Sequence, residues 1–149
     1  MGSWLKTAAA ALTALALAAG ATASAQPMLQ DFLTQQLDNR ELRNADDGYA
    51  RIVGPLTGTL ASAGAASHTL NNLRVGQEIR IVGVCDSACA DLDLRVIDPR
   101  GRVIASDTRG DEHPSIDMRA EMFGQHTIEV DMADCGAARC RYAVNVYTR

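Results

Sequence analysis

From Arg51 to the C-terminus the chain keeps a two-residue rhythm, and that rhythm most constrains the fold. Residues 56–60, 68–75, 78–84, 91–96, 102–106, 115–120, 126–130 and 142–148 form short apolar-rich runs separated by turn residues. In 91–96, Leu92, Leu94 and Val96 fall on one face and Asp91, Asp93 and Arg95 on the other. In 78–84, Ile79 and Ile81 share a face opposite Arg80 and Val82. Strands of this length, each with an apolar and a polar side, predict antiparallel sheets packed as a sandwich or barrel. Asp98-Pro99-Arg100-Gly101 supplies a turn with Asp first, Pro second and Gly fourth, so 91–97 and 102–106 read as a hairpin.

Ahead of this region the period is helical. In "PMLQDFLTQQLDNRELRN" (27–44), Met28, Leu29, Phe32, Leu33 and Leu37 recur at steps of three and four, predicting a short amphipathic helix. Pro27 suits its first turn, and Asn44 with the following Ala-Asp-Asp-Gly reads as its exit. The stripe is expected to pack on the domain rather than dock a partner, because an exposed stripe of that size invites aggregation.

The first residues address the chain for export. Lys6, an Ala/Leu run from Ala8 to Ala19 and the small residues Ala23-Ser24-Ala25 make a signal peptide cleaved between Ala25 and Gln26. The run is shorter than the roughly 20 apolar residues of a membrane span. The organisation expected is therefore a signal at 1–25, a helix and linker at 26–50, and a β-sandwich at 51–149. Past the signal the chain has 13 Arg against 18 Asp and Glu and no Lys, and the arginines are scattered. That distribution lacks the basic stripe of a nucleic-acid binder.

All four cysteines, Cys85, Cys89, Cys135 and Cys140, follow the signal. In a periplasmic or secreted protein an even set reads as disulfides. The spacings approach those of zinc ligands, but no histidine recurs beside them, and the two-residue spacing of redox cysteines is missing. Three pairings are open. Counted along alternating strands, both pairs fall at one end of the sandwich. A crossed bridge would constrain the unfolded chain more, by about 4 against about 2 kcal/mol in the chain-entropy model. It would also require the two loops to lie within about 7 Å of each other. Local bridges, Cys85 with Cys89 and Cys135 with Cys140, need no such contact and are expected. They would stiffen an acidic, loop-built end suited to binding.

Candidate chemistry is sparse. No G-x-S-x-G elbow, H-E-x-x-H pair, EF-hand loop or phosphate loop occurs. Calcium needs six to eight oxygens, and Asp86, Asp91 and Asp93, with Asp131 and Asp134 in the other cysteine region, are the candidates. Against this stands a solvated acidic rim paired with arginines such as Arg95.

"VGQEIRIVGV", "ADLDLRVIDPRGRVIASD", "MFGQHTIEV" and "CRYAVNVYT" together resemble the bacterial pre-peptidase C-terminal (PPC) domain family. The matching features are Gly76-Gln77 before a strand, Asp91-Leu92-Asp93-Leu94 leading into Asp98 to Gly101, Gly124 before a strand, and a closing Tyr-x-Val-x-Val. The resemblance spans roughly residues 55–148. It implies a jelly-roll-like β-sandwich of about eight strands, usually non-catalytic, with calcium bound in some members. Where the family tends to have Tyr, this chain has His126, expected to be a half-buried structural residue on the face of Ile128 and Val130. The function expected is an exported non-catalytic binding or accessory domain with a protein or glycan partner. The alternatives are a small secreted hydrolase and a calcium-stabilised structural module.

Overall fold

The computed structural model describes the backbone of residues 26–149 and side chains from residue 32 onward. The expected signal and its cleavage point after Ala25 lie outside the described residues. The chain forms one helix, α1 (Gln26–Asp46), and eight strands: β1 (Ala50–Leu60), β2 (Gly64–Leu73), β3 (Glu78–Cys85), β4 (Cys89–Ile97), β5 (Val103–Asp107), β6 (Ser115–Arg119), β7 (Gly124–Cys135) and β8 (Cys140–Thr148).

The strands make two four-stranded sheets, in the orders β1-β8-β3-β6 and β2-β7-β4-β5. All pairings are antiparallel. Interleaving of sequential strands between two such sheets is the jelly-roll arrangement, so the fold class read from the sequence is the one observed. The inner faces supply the core: Ile79, Ile81, Val144 and Val146 from one sheet meet Leu92, Leu94, Val96, Ile128, Val130 and Met132 from the other. The Asp98 turn joins β4 to β5. Gly101 N–H donates to Asp98 O at 2.9 Å, Asp98 Oδ1 accepts from the amides of Arg100 and Arg102, and Gly101 has φ +80°.

The expectation of one polar face per strand fails in the first sheet. Val82, Val84 and Ala143 point outward there and are still buried. The physical reason is α1, whose Leu33 and Leu37 cover Val84 and Ala143. Tyr49 then closes over Val82 and Tyr147. The helix therefore packs on the domain, although its stripe differs from the one read in the sequence. Leu33 and Leu37 are buried, Phe32 is largely exposed, and the side chains of Met28 and Leu29 are not described. The exit expected at Asn44 is real: Asn44 O accepts the Tyr49 amide at 2.8 Å and Gly48 takes φ +82°. Arg80, lying 4.4 Å over the Tyr49 ring, ties the helix end down through Asp47 at 2.6 Å and Asn44 at 3.2 Å.

Candidate functional site

The outer face of the second sheet, which α1 leaves free, carries five carboxylates and one arginine on β4 and β7, with Gly110 of the β5–β6 connection beside Asp91. Strand β4 presents Asp91, Asp93 and Arg95 outward because Leu92, Leu94 and Val96 point into the core. Strand β7 does the same with Glu129 and Asp131 between Ile128, Val130 and Met132. Antiparallel register sets Asp91 opposite Asp134, Asp93 opposite Asp131, and Arg95 opposite Glu129. Side chains facing each other across such a ladder interact directly, and like charges there are destabilising. Five carboxylates thus lie on two strands that carry one guanidinium, which reaches three of them. Arg95 contacts Asp131 closely, Glu129 at 3.5 Å and Asp93 at 3.8 Å.

That single cation does not satisfy the group. Asp91 Oδ1 and Asp93 Oδ1 are buried and have no hydrogen-bond partner. Burial first, then the neighbouring Asp91 charge, pushes the Asp93 carboxyl above the usual carboxylate range, against the opposing pull of Arg95. On either side the shelf is low. Strand β2 sets Ala65, Ser67 and Thr69 opposite Asp131, Glu129 and Thr127, and β5 sets Ser106 opposite Arg95. The result is an acidic ridge between rows of small side chains, running up to the cysteine end.

At that end the bridges are Cys85–Cys89 and Cys135–Cys140, each with Cα atoms 5.9 Å apart. Each is local in sequence and crosses between the sheets, since β3 and β8 belong to one sheet and β4 and β7 to the other. The two loops are also neighbours, which the sequence left open: Cys89 faces Cys135 in the β4–β7 ladder, and the Gly136 amide donates to Ala88 O at 2.8 Å.

Asp86, named with Asp91 and Asp93 as a calcium candidate, stands apart from them. Its carboxylate is 7% exposed as a residue and already engaged, accepting the Arg141 amide at 2.7 Å and the Ala88 amide at 3.2 Å. It locks the first cysteine loop to β8, away from the outward face that Asp91 and Asp93 share. Sequence reasoning named Asp91, Asp93, Asp131 and Asp134 but missed Glu129 and the direct pairing across strands. Register is the missing signal. Among the described residues no group of three or more His, Cys, Asp or Glu side chains is arranged to hold a metal ion.

The histidines are engaged elsewhere. His68 Nε2 lies 2.8 Å from Tyr142 Oη; burial lowers the imidazole pKa and raises that of the phenol, so the pair stays neutral. His113 Nε2 meets Gln36 Oε1 at 2.8 Å, and Gln36 Nε2 donates to Cys85 O at 3.3 Å, pinning α1 to the first cysteine loop. His126 is fully buried rather than half-buried, with Nδ1 3.2 Å from Gly124 O. Its face is shared with Ile128 and Val130, which the opposing sheet covers completely.

No protein-family model matches the chain, and no curated protein matches its sequence. Solved structures superpose on the chain in part, three of them as follows. One is the Aeromonas hydrophila periplasmic lysozyme inhibitor PliG of g-type lysozyme, at 14% identity and TM-score 0.48, covering 68% of this chain and 86% of that one. Another is the carbohydrate-binding module CBM36 in complex with calcium and xylotriose, at 15% and 0.37, covering 66% and 96%. The third is the CBM36-1 domain of a multidomain xylanase from the hindgut metagenome of Trinervitermes trinervoides, at 16% and 0.38, covering 68% and 90%. At these identities and scores the likeness says nothing of a shared ligand.

Proposed function

We propose that this chain is an exported binding domain of the kind the PPC resemblance implies, and that it engages a protein partner through the acidic face of β4 and β7. Export is supported by the signal-like N-terminus and the two disulfides. No described helix is long and apolar enough to cross a membrane.

The observation that carries the reading is the pair of unpartnered oxygens, Asp91 Oδ1 and Asp93 Oδ1, shielded from solvent among five carboxylates and one arginine on the face that α1 does not cover. Buried acceptors without donors cost stability, and a chain tolerates them where a ligand supplies the donors. Lysine and arginine side chains supply donors and opposite charge together. A glycan supplies donors alone, and the outward positions of β4 and β7 hold no aromatic ring on which a sugar could stack. A basic protein surface therefore fits this face better than a glycan.

The test is capture from envelope extract with the purified exported protein, beside an Asp93→Asn/Asp131→Asn variant of unchanged fold. The expected result is a basic protein retained by the parent, released by salt and lost with the variant. Equal retention by both proteins, or binding to neutral glycans that the variant keeps, would overturn the assignment.

A further inference from the structure

The end of the sandwich opposite the cysteines has a different character, independent of the acidic face. It is built from three connections: 74–77 between β2 and β3, 98–102 between β4 and β5, and 120–123 between β6 and β7. They form one braced platform. The Gly76 amide donates to Ala120 O at 2.7 Å, and the Ala120 amide donates to Gln77 O at 2.9 Å. A Cβ placed on Gly124 would sit 3.6 Å from Pro99, so the Asp98 turn adjoins the third connection.

On this platform stand the two most exposed large apolar side chains of the β-sandwich, Phe123 at 70% and Val75 at 68%. Val103 follows at 55%, at the start of β5. Phe123 and Val75 stand in the connections themselves, whereas Val103 lines a shallow hollow with Arg102, Ile104, Met118, Arg119 and Glu121. The same connections and the end of β6 carry Arg74, Arg100, Arg102 and Arg119. Arg74 and Arg100 form no ion pair among the described residues, while Arg102 and Arg119, paired to Asp98 and Glu78, remain about two-thirds exposed. The acids in these connections are Asp98, whose buried carboxylate is consumed by Arg102 and two amides, and the exposed Glu121. In a chain whose residues 26–149 sum to an excess of acids, this end sets four arginines against Asp98, Glu78 and Glu121, with Arg74 and Arg100 the two that no acid pairs among the described residues.

We infer that this end docks on an anionic lipid bilayer, with Phe123 and Val75 entering the interface and the arginines meeting lipid phosphates. Convex apolar tips suit a deformable surface, where a protein partner would need a matching pocket for each. Apolar insertion and electrostatic attraction add in interfacial binding, and neither is strong alone. The opposite end and the acidic face of the second sheet then point away from the lipid or along it. Contact therefore leaves the acidic ridge open.

The experiment is co-sedimentation of the purified exported protein with vesicles of phosphatidylcholine alone or with about 30% phosphatidylglycerol. The expected result is binding to the anionic vesicles only, weakened by salt. Phe123→Asp and the double variant Arg74→Glu/Arg100→Glu are each expected to weaken it by about tenfold or more. The chain has one Trp, Trp4, which leaves with the signal, so Phe123→Trp gives a clean reporter. Its emission is expected to shift to the blue with anionic vesicles and not with neutral ones. No sedimentation with anionic vesicles, binding that Phe123→Asp leaves intact, or an unshifted Phe123→Trp emission would overturn the inference. Retention of an acidic protein by this end in the absence of vesicle binding would assign the surface to that protein instead.

Discussion

The outer faces of the two sheets are built from similar strands and end differently. On the first sheet, β3 and β8 are buried on both sides, because Leu33 and Leu37 of α1 and the ring of Tyr49 cover Val84, Ala143, Val82 and Tyr147. On the second, β4 and β7 keep strict alternation, and their outer residues form the acidic ridge. Burial selects apolar residues on both sides of a strand, and solvent frees one side for charge. The lesson is that the face without a cover is the one with freedom to carry function.

The largest effect expected is on the covered face. Leu37→Ala removes a buried contact between helix and sheet and should lower stability by about 3 kcal/mol. Ser67→Ala on the bare face should stay within about 0.5 kcal/mol. Urea denaturation compares them, and equal effects would break the distinction between the faces. Next come the staples between the sheets. Cys85→Ser with Cys89→Ser should cost about 2 kcal/mol and loosen the Asp86 lock on β8. The same denaturation series reads the cost, and hydrogen exchange at the Arg141 amide reads the lock.

Two carboxylates should then respond to pH with opposite signs. Asp107 is held at a pKa of about 2, first by its hydrogen bond with Arg109 and also by the Ser115 amide. Its folded pKa lies below its unfolded one. Its contribution is therefore complete above about pH 4 and is lost as the pH falls toward 2. Asp93 has a raised folded pKa, so it favours the folded state most at low pH, and that contribution disappears as the pH rises through its folded value. Asp107→Asn should accordingly destabilise by about 1.5 kcal/mol at neutral pH. Asp93→Asn should stabilise by about 0.5 kcal/mol by relieving the like-charge pairing. Thermal melts of both variants from pH 3 to 7 check the signs. The smallest effect expected is that of calcium: about 5 mM should leave the melting temperature of the parent unchanged within about 1 °C. A rise abolished by Asp93→Asn would turn the bare face into a cation site.

Much of the fold is legible in the amino-acid sequence. The Asp98-Pro99-Arg100-Gly101 turn, the alternation in β4 and the spacing of the cysteine pairs are local features, encoded by residues within a few positions of each other. The candidate site is legible only in pieces. Asp91 and Asp93 are visible as outward carboxylates. That Asp131 stands opposite Asp93, that Glu129 completes the ridge, and that Asp86 is withdrawn from it all depend on strands far apart in sequence.

The sequence by itself thus determined the class of fold and the strands and turns, and left the local closing of both cysteine loops as the expected one of three pairings. Each follows from backbone preferences and side-chain periodicity over short range. Only the tertiary structure decided which sheet α1 would cover, which loops would meet, and which carboxylates would be forced together. Those outcomes arise when segments far apart in the chain compete to exclude water from the same surface. Ile81 and Val82 show the difference: the alternation of "EIRIVGV" set them on opposite faces, and only the packed helix and Tyr49 made both of them core.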